Sequence, residues 1–223
     1  MVEELASRLS RVGALAEPAR RDLYLYVVRQ HAPVSRDQAA ADTGLPRHAV
    51  KFHLDRLVDE GLLDVEYRRL SGRQGPGAGR PSKLYRRTDR EVSVSLPERR
   101  YELAGRIFAD AVHHATEGTP IADAVTRAAA DAGRRVVATT APASATELLR
   151  SCGYEPRVSG DRMILVNCPF HALAAEHTAL VCGVNLEFLR TVAAELSLSA
   201  VDVRLDPGPD RCCVILQPPP AVR

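Results

Sequence analysis

The stretch from Gly44 to Gly61 constrains this chain more than any other. Pro46 suits a first helical position, because its missing N–H has no partner there and its φ is already helical. Gly61 suits the left-handed position just past a helix end. Between them Val50, Leu54, Leu57 and Val58 repeat at i, i+4, i+7 and i+8, which makes one apolar stripe. Arg47, His48 and Lys51 stand on the first two turns, away from that stripe. A helix with an apolar back and a basic leading end can lie in a major groove with its first turns on base edges.

The preceding residues supply the support such a helix needs. Residues 3–14 form an amphipathic helix with Leu5, Leu9 and Val12 near one face. Pro18 opens a second helix running from Ala19 to Gln30. Ser35 caps a third helix that extends through Asp42, with Gln38 as its capping-box partner. The short turn at Thr43, Gly44 and Leu45 then leads into the basic helix, which is the layout of a helix-turn-helix.

After Gly61 the period changes from helical to alternating. Leu63, Val65 and Tyr67 alternate with Asp64, Glu66 and Arg68, as in a half-buried strand. Residues 71–81 are too rich in glycine and proline for a regular element, and Leu84 to Arg87 reads as a returning strand. Residues 65–90 carry eight basic side chains (Arg68, Arg69, Arg73, Arg80, Lys83, Arg86, Arg87 and Arg90) against two acids, Glu66 and Asp89. This hairpin is expected to be a wing whose tip meets phosphates or the minor groove; the plainer alternative is a solvated loop.

Charge supports a polyanionic partner for this part of the chain. The formal net charge of the 223 residues is only +2, yet residues 1–90 hold 17 Lys and Arg against 12 Asp and Glu. The remainder is mildly acidic. No run of 18 apolar residues is present, so no membrane span is expected. The opening residues carry no signal-peptide pattern, which points to the cytoplasm and to cysteines that are reduced, metal-bound or buried rather than paired.

Four segments resemble the ArsR-type winged-helix regulators of bacteria: Leu15 to Arg21, Val50 to Leu57, Glu60 to Leu63 and Gly79 to Tyr85. The last of these is typical of a subgroup with a C-terminal sensor domain, which includes the SufR-like iron–sulfur-responsive repressors. The resemblance implies a homodimer that binds an inverted-repeat operator in double-stranded DNA and acts more readily as a repressor than as an activator. It also implies that a helix following the wing often pairs the subunits.

The fold class expected is α+β. It comprises a winged helix-turn-helix over residues 1–95, a connecting and dimer-forming helix over 96–118, and a sensor domain with a small antiparallel sheet over 119–223. Within the last part, Ile121 to Val137 is an alanine-rich helix, and Ser144 with Glu147 caps a short helix ending near Gly153. One hairpin pairs Pro156–Val158 with Met163–Val166. A second pairs Val201–Leu205 with Cys212–Leu216. A single helix from Ala172 to Leu196 separates them.

Cys168, Cys182, Cys212 and Cys213 fall on three of these elements, with His171 and His177 between the first two. Thiolates with imidazoles can hold zinc or an iron–sulfur cluster. The candidate ligands are Cys168, His171, Cys182, Cys212 and Cys213, and Cys152 reads as structural. Adjacent strand residues point to opposite faces, so Cys212, sharing its face with Val214 and Leu216, is the inward one of the pair. His177 and Cys182 share no helix face unless the helix begins after His177.

The resemblance to SufR-like regulators implies an iron–sulfur cluster here, with cysteines spaced by roughly a dozen residues. The gap from Cys168 to Cys182 fits that pattern, but Leu196 occupies the place of a third cysteine, and the next ones come at 212 and 213. Zinc, redox-sensing thiols, a pocket for an organic effector, and cysteines that serve only as small core residues stay open beside the cluster.

On the DNA side the candidates are Arg47, His48 and Lys51 for base or phosphate contact, Arg56 for the backbone, and Arg73, Arg80 and Lys83 in the wing. His53 reads as a packed histidine, and Phe52 as leaning on the DNA backbone or filling the wing interface. The competing class is an enzyme, a thiol or metal hydrolase fused to a DNA-binding head and using Cys168 with His171 or His177. No nucleophile elbow, glycine-rich phosphate loop or orienting acid accompanies those residues, so a non-enzymatic regulator is expected.

Overall fold

The computed structural model describes residues 2–69, 81–140, 142, 144–198 and 201–218. The chain divides into two compact units, Met1–Val94 and Ser95–Arg223, and it is α+β throughout. Among the described residues no helix is long and apolar enough to cross a membrane.

The first unit runs α1 (Val2–Ala14), α2 (Pro18–Val28), β1 (Val34–Ser35), α3 (Arg36–Thr43), α4 (Arg47–Asp59), β2 (Leu63–Arg68) and β3 (Ser82–Arg87). The caps are local chemistry. The Glu17 carboxylate accepts from the backbone N–H groups of Ala19 and Arg20, and Ser35 Oγ accepts from Gln38 N–H. Gly44 at φ 70° closes α3, and Gly61 at φ 68° follows α4, both in the left-handed region where glycine carries no steric penalty. Pro46 is the cap of α4 rather than its first helical residue. Its carbonyl accepts the helix's first bond, from Val50 N–H.

Val50, Leu54 and Leu57 of α4 are fully buried against Leu23, Val27, Ala39 and Leu63. The wing is a three-stranded antiparallel sheet in the order β1-β3-β2. The two-residue strand β1, which the alternation did not announce, pairs Val34 with Tyr85 and Ser35 with Leu84.

The second unit runs α5 (Tyr101–Thr116), α6 (Ile121–Thr140), α7 (Ala145–Ser151), β4 (Pro156–Ser159), β5 (Arg162–Leu165), α8 (His171–Glu176), α9 (Thr178–Glu195), β6 (Asp202–Leu205) and β7 (Val214–Gln217). Helix α5, expected as a connector, begins at Tyr101 and puts Ile107 and Ala111 into the core of this unit. Helices α6 and α9 approach closely at Gly133. A Cβ there would stand 2.9 Å from the Phe188 carbonyl oxygen, so only glycine fits without movement.

The expected helix over Ala172–Leu196 is two helices, broken at His177, whose φ of −129° and ψ of 52° are not helical. The two hairpins form one four-stranded sheet in the order β4-β5-β7-β6, joined where Met163 pairs with Leu216 and Ile164 with Ile215. Cys212 and Cys213 precede β7 rather than beginning it. The Cys212 N–H still donates to the Leu165 carbonyl and the Cys213 carbonyl accepts from Asp206 N–H, so the pair is held between β5 and β6.

Candidate nucleic-acid interface and cysteine cluster

The outer face of α4 carries the first candidate site. Arg47, His48, Lys51, Phe52 and Arg56 are all exposed, opposite the buried stripe. Arg47 forms an ion pair with Asp37 of α3 and Arg56 one with Glu60, so both guanidiniums are oriented yet open to solvent. His53 is packed, with Nδ1 3.5 Å from the Glu17 carboxylate at the start of α2. Phe52 does not fill the wing interface; it is 63% exposed, and its ring meets the His53 ring edge-on, at 5.3 Å between centroids.

Lys83 has a different environment from the other cations. Its ammonium donates to Asp55 Oδ1 at 2.5 Å, and the Tyr85 hydroxyl donates to the same oxygen at 2.8 Å. Burial pushes the Asp55 carboxyl up. The hydrogen bonds from Lys83 and Tyr85, with the charges of Lys83 and Lys51, outweigh this and bring it below its ordinary value. Asp55 thus fastens strand β3 of the wing to the exposed helix. The residues around Asp55 gave no sign of this, apart from the i, i+4 spacing of Lys51 and Asp55. Arg73 and Arg80 lie outside the described residues.

In the second unit the fold gathers four thiols from three segments. Cys168 follows β5, Cys182 is in the first turns of α9, and Cys212 and Cys213 lead into β7. The nearby Cys212 thiol is the main reason the Cys168 thiol is lowered to about 7; burial opposes this, while the Phe170 N–H and the Arg99 charge assist it. The Cys212 thiol is correspondingly pushed up, first by the proximity of Cys168 and then by burial. Cys182 is raised to about 12 by burial and by contact with Cys213. Cys152 stands apart in the core near α7, where burial raises it to about 11.

Side chains that the sequence did not single out hold this cluster. Asn185, one turn beyond Cys182 on α9, donates from Nδ2 to Cys212 Sγ at 3.1 Å, and its Oδ1 accepts from the buried Tyr154 hydroxyl. Asn167 donates to the carbonyls of Glu98 and Gly153, both at 2.7 Å. Arg99 donates to Asn167 Oδ1 and, at 3.0 Å, to the Cys168 carbonyl. A polar Asn185 in the otherwise apolar stretch 179–186 was the one legible signal, since a buried amide needs partners.

A cleft of about 550 Å³ opens beside Cys168, Cys212 and Cys213 and is also lined by His171 and Arg211. His177 ends α8, and α9 begins after it. The donors present are thiols, which once deprotonated on binding are soft ligands suited to zinc or an iron–sulfur cluster. Among the described residues, however, no three His, Cys, Asp or Glu side chains are disposed to share one metal ion. The thiols as placed therefore do not form the closed tetrahedron of a structural zinc site. A polynuclear cluster makes a looser demand, because its thiolates bind different iron atoms.

Comparison with known proteins bears on the first unit. Residues 15–66 match a family described as a helix-turn-helix domain. The match covers α2, the turn, α4 and most of β2. No curated protein matches the chain. The matched domain indicates a DNA-binding transcription regulator with a helix-turn-helix head.

Proposed function

We propose that this regulator is an effector-controlled repressor that binds an inverted repeat as a homodimer, with a cysteine-held iron–sulfur cluster in its C-terminal unit as the effector. The observation that carries the effector reading is the meeting of Cys168, Cys182, Cys212 and Cys213 from three separate segments. Cysteines that only fill a core can also share it; four thiols arriving from three segments beside one cleft are what a polynuclear ligand set needs. Cys168 and Cys212 are the foremost ligands, with Cys182 and Cys213 completing the set and His171 at the mouth of the cleft. Zinc would require the thiols to close on one point and is the second choice.

Such a cluster supplies a group whose charge and integrity respond to redox state and oxygen. The chain's own residues do the positioning. Asn185 fixes the Cys212 sulfur, Arg99 and Asn167 fix the Cys168 loop, and Tyr154 fixes Asn185. Hydrogen bonds to ligand sulfurs tune such groups. On the DNA side Arg47, His48 and Lys51 read or position, and Arg56 touches the backbone. Lys83 serves first as a strap to Asp55, with Arg73 and Arg80 assigned to the wing tip. Control requires the effector to favour one dimer geometry over another, since only differential binding shifts an equilibrium. The reaction-free reading is preferred to a hydrolase, because the hydrogen bonds to the cysteine segments come from amides and a guanidinium, and among the described residues no hydrogen bond joins His171 to a thiol or to Asp210, which line the same cleft.

The test is anaerobic purification followed by an absorption spectrum and iron, sulfide and zinc analysis. A coloured protein with iron and acid-labile sulfide is expected, with the colour lost in Cys168→Ser and Cys212→Ser but kept in Cys152→Ser. A colourless protein that takes up no iron and still binds its own upstream DNA over random duplex would overturn the effector and leave the DNA-binding assignment intact.

A further inference from the structure

The exposed ring of Phe52 stands where α4 would meet a base. By the 3.6-residue period it lies about 140–200° around the helix from Val50, Leu54 and Leu57, which are fully buried. It is on the second turn, one turn beyond His48 and next to Lys51. A single exposed apolar side chain is ordinary on a surface. This one is unusual in its surroundings.

The shallow groove beside the ring, about 710 Å³, has four basic side chains around it: Arg20, His48, Lys51 and Arg56. Its acids are Asp55, tied to Lys83 and Tyr85, and Asp59 on the last turn. An apolar centre within a cationic rim is complementary to a major groove. There the walls are phosphates and the floor offers one kind of apolar group, the thymine C5-methyl, which phenylalanine can contact. A protein partner would have to cover the charges of Arg20, Lys51 and Arg56 to reach the ring.

We propose that Phe52 is a specificity-determining residue that packs on a thymine methyl in the operator. The proposal rests on the DNA-binding reading of α4. It assigns direct base readout to an apolar side chain and leaves Arg20 and Arg56 to the flanking phosphates.

The experiment selects duplexes from a randomised 24-base-pair library with the full-length protein. Each thymine of the selected site is then replaced singly by deoxyuridine, which removes only the methyl. For the wild type, at least one replacement in each half-site is expected to lower affinity about fourfold, the worth of one buried methyl group. In Phe52→Ala this difference is expected to vanish, so that thymine and uracil duplexes bind alike, while Phe52→Leu keeps part of it. Circular dichroism and light scattering of the free variants accompany the binding. Wild-type affinity insensitive to every thymine methyl overturns the proposal, as does undiminished discrimination in Phe52→Ala. A changed oligomeric mass of free Phe52→Ala places the ring in a protein interface and also overturns it. If no duplex is enriched, the DNA-binding reading itself falls and takes this proposal with it.

Discussion

The first unit displays its functional side chains along one helix, whereas the second collects them from Cys168, Cys182 and Cys212, each on a different segment. In α4 the position of every side chain follows from a local period, and the core beneath it serves only to turn the right face outward. In the cysteine cluster no local rule brings the thiols together. They meet because β5 and β7 pair and α9 packs over them. A surface site can thus be altered one side chain at a time, while a gathered site depends on the packing of the whole unit. Four measurements test that contrast, taken from the largest expected effect to the smallest.

The largest effect is expected from truncating one core residue in each unit. Phe188→Ala in α9 should cost about 3–5 kcal/mol and Leu54→Ala in α4 about 2–5 kcal/mol, as for other buried large-to-small changes. Segment-resolved hydrogen exchange of the full chain should show lost protection within the second unit for Phe188→Ala and within the first for Leu54→Ala. Loss spread evenly over both units in either variant would mean that the two cores are not independent.

Arg47→Ala should come next. It is expected to weaken specific binding by about 1–3 kcal/mol and relax sequence preference, with the fold unchanged because the side chain is exposed. Equal weakening on all sequences would reassign Arg47 to a phosphate. Ser35→Ala should cost about 1 kcal/mol by removing the cap on α3, read as a shift in the denaturation midpoint. An unchanged midpoint would show that the cap's hydrogen bond adds nothing beyond water.

The smallest effect concerns acid. The folded Asp55 carboxyl is held below its unfolded value of about 3.9. Its contribution to stability is therefore complete above that pH and is lost as pH falls through the lower folded value. Protection of the wing amides should decline below about pH 4, and Asp55→Asn should flatten that decline. A decline of the same size in the variant would assign it to other carboxylates.

These contrasts explain what could be read in advance. The stripe of Val50, Leu54 and Leu57, the cap at Ser35 and the strand opening with Leu63 and Val65 are all contained within a few residues, so the first unit was largely legible; Tyr67, expected on the buried face of that strand, is instead 68% exposed, where β2 runs beyond the core. The strand β1 was not, because two residues carry no period. In the second unit the hairpins were legible from their turns, but the break at His177 was not, since Glu176, His177 and Thr178 include neither glycine nor proline and one helix can carry three such polar residues. Cys212 is the more buried of the pair, but both cysteines stand before the strand and both line the cleft, so strand alternation does not separate them. The partners of the thiols, Asn185, Asn167 and Arg99, were missed. Each is distant in sequence from the residue it holds, and polar satisfaction across such distances leaves only the faint mark of a polar residue in an apolar run.

Ser35 pairs with Leu84 of the wing and caps α3 through its side chain. One residue is thus the joint between two levers. A pull on β3 strains the same backbone that anchors the start of α3, which is the first arm of the helix-turn-helix. Because Asp55 also clamps β3 to α4, the wing and both arms form a closed mechanical loop. A load applied to the wing by the DNA is therefore shared by the whole head and cannot be relieved by one hinge.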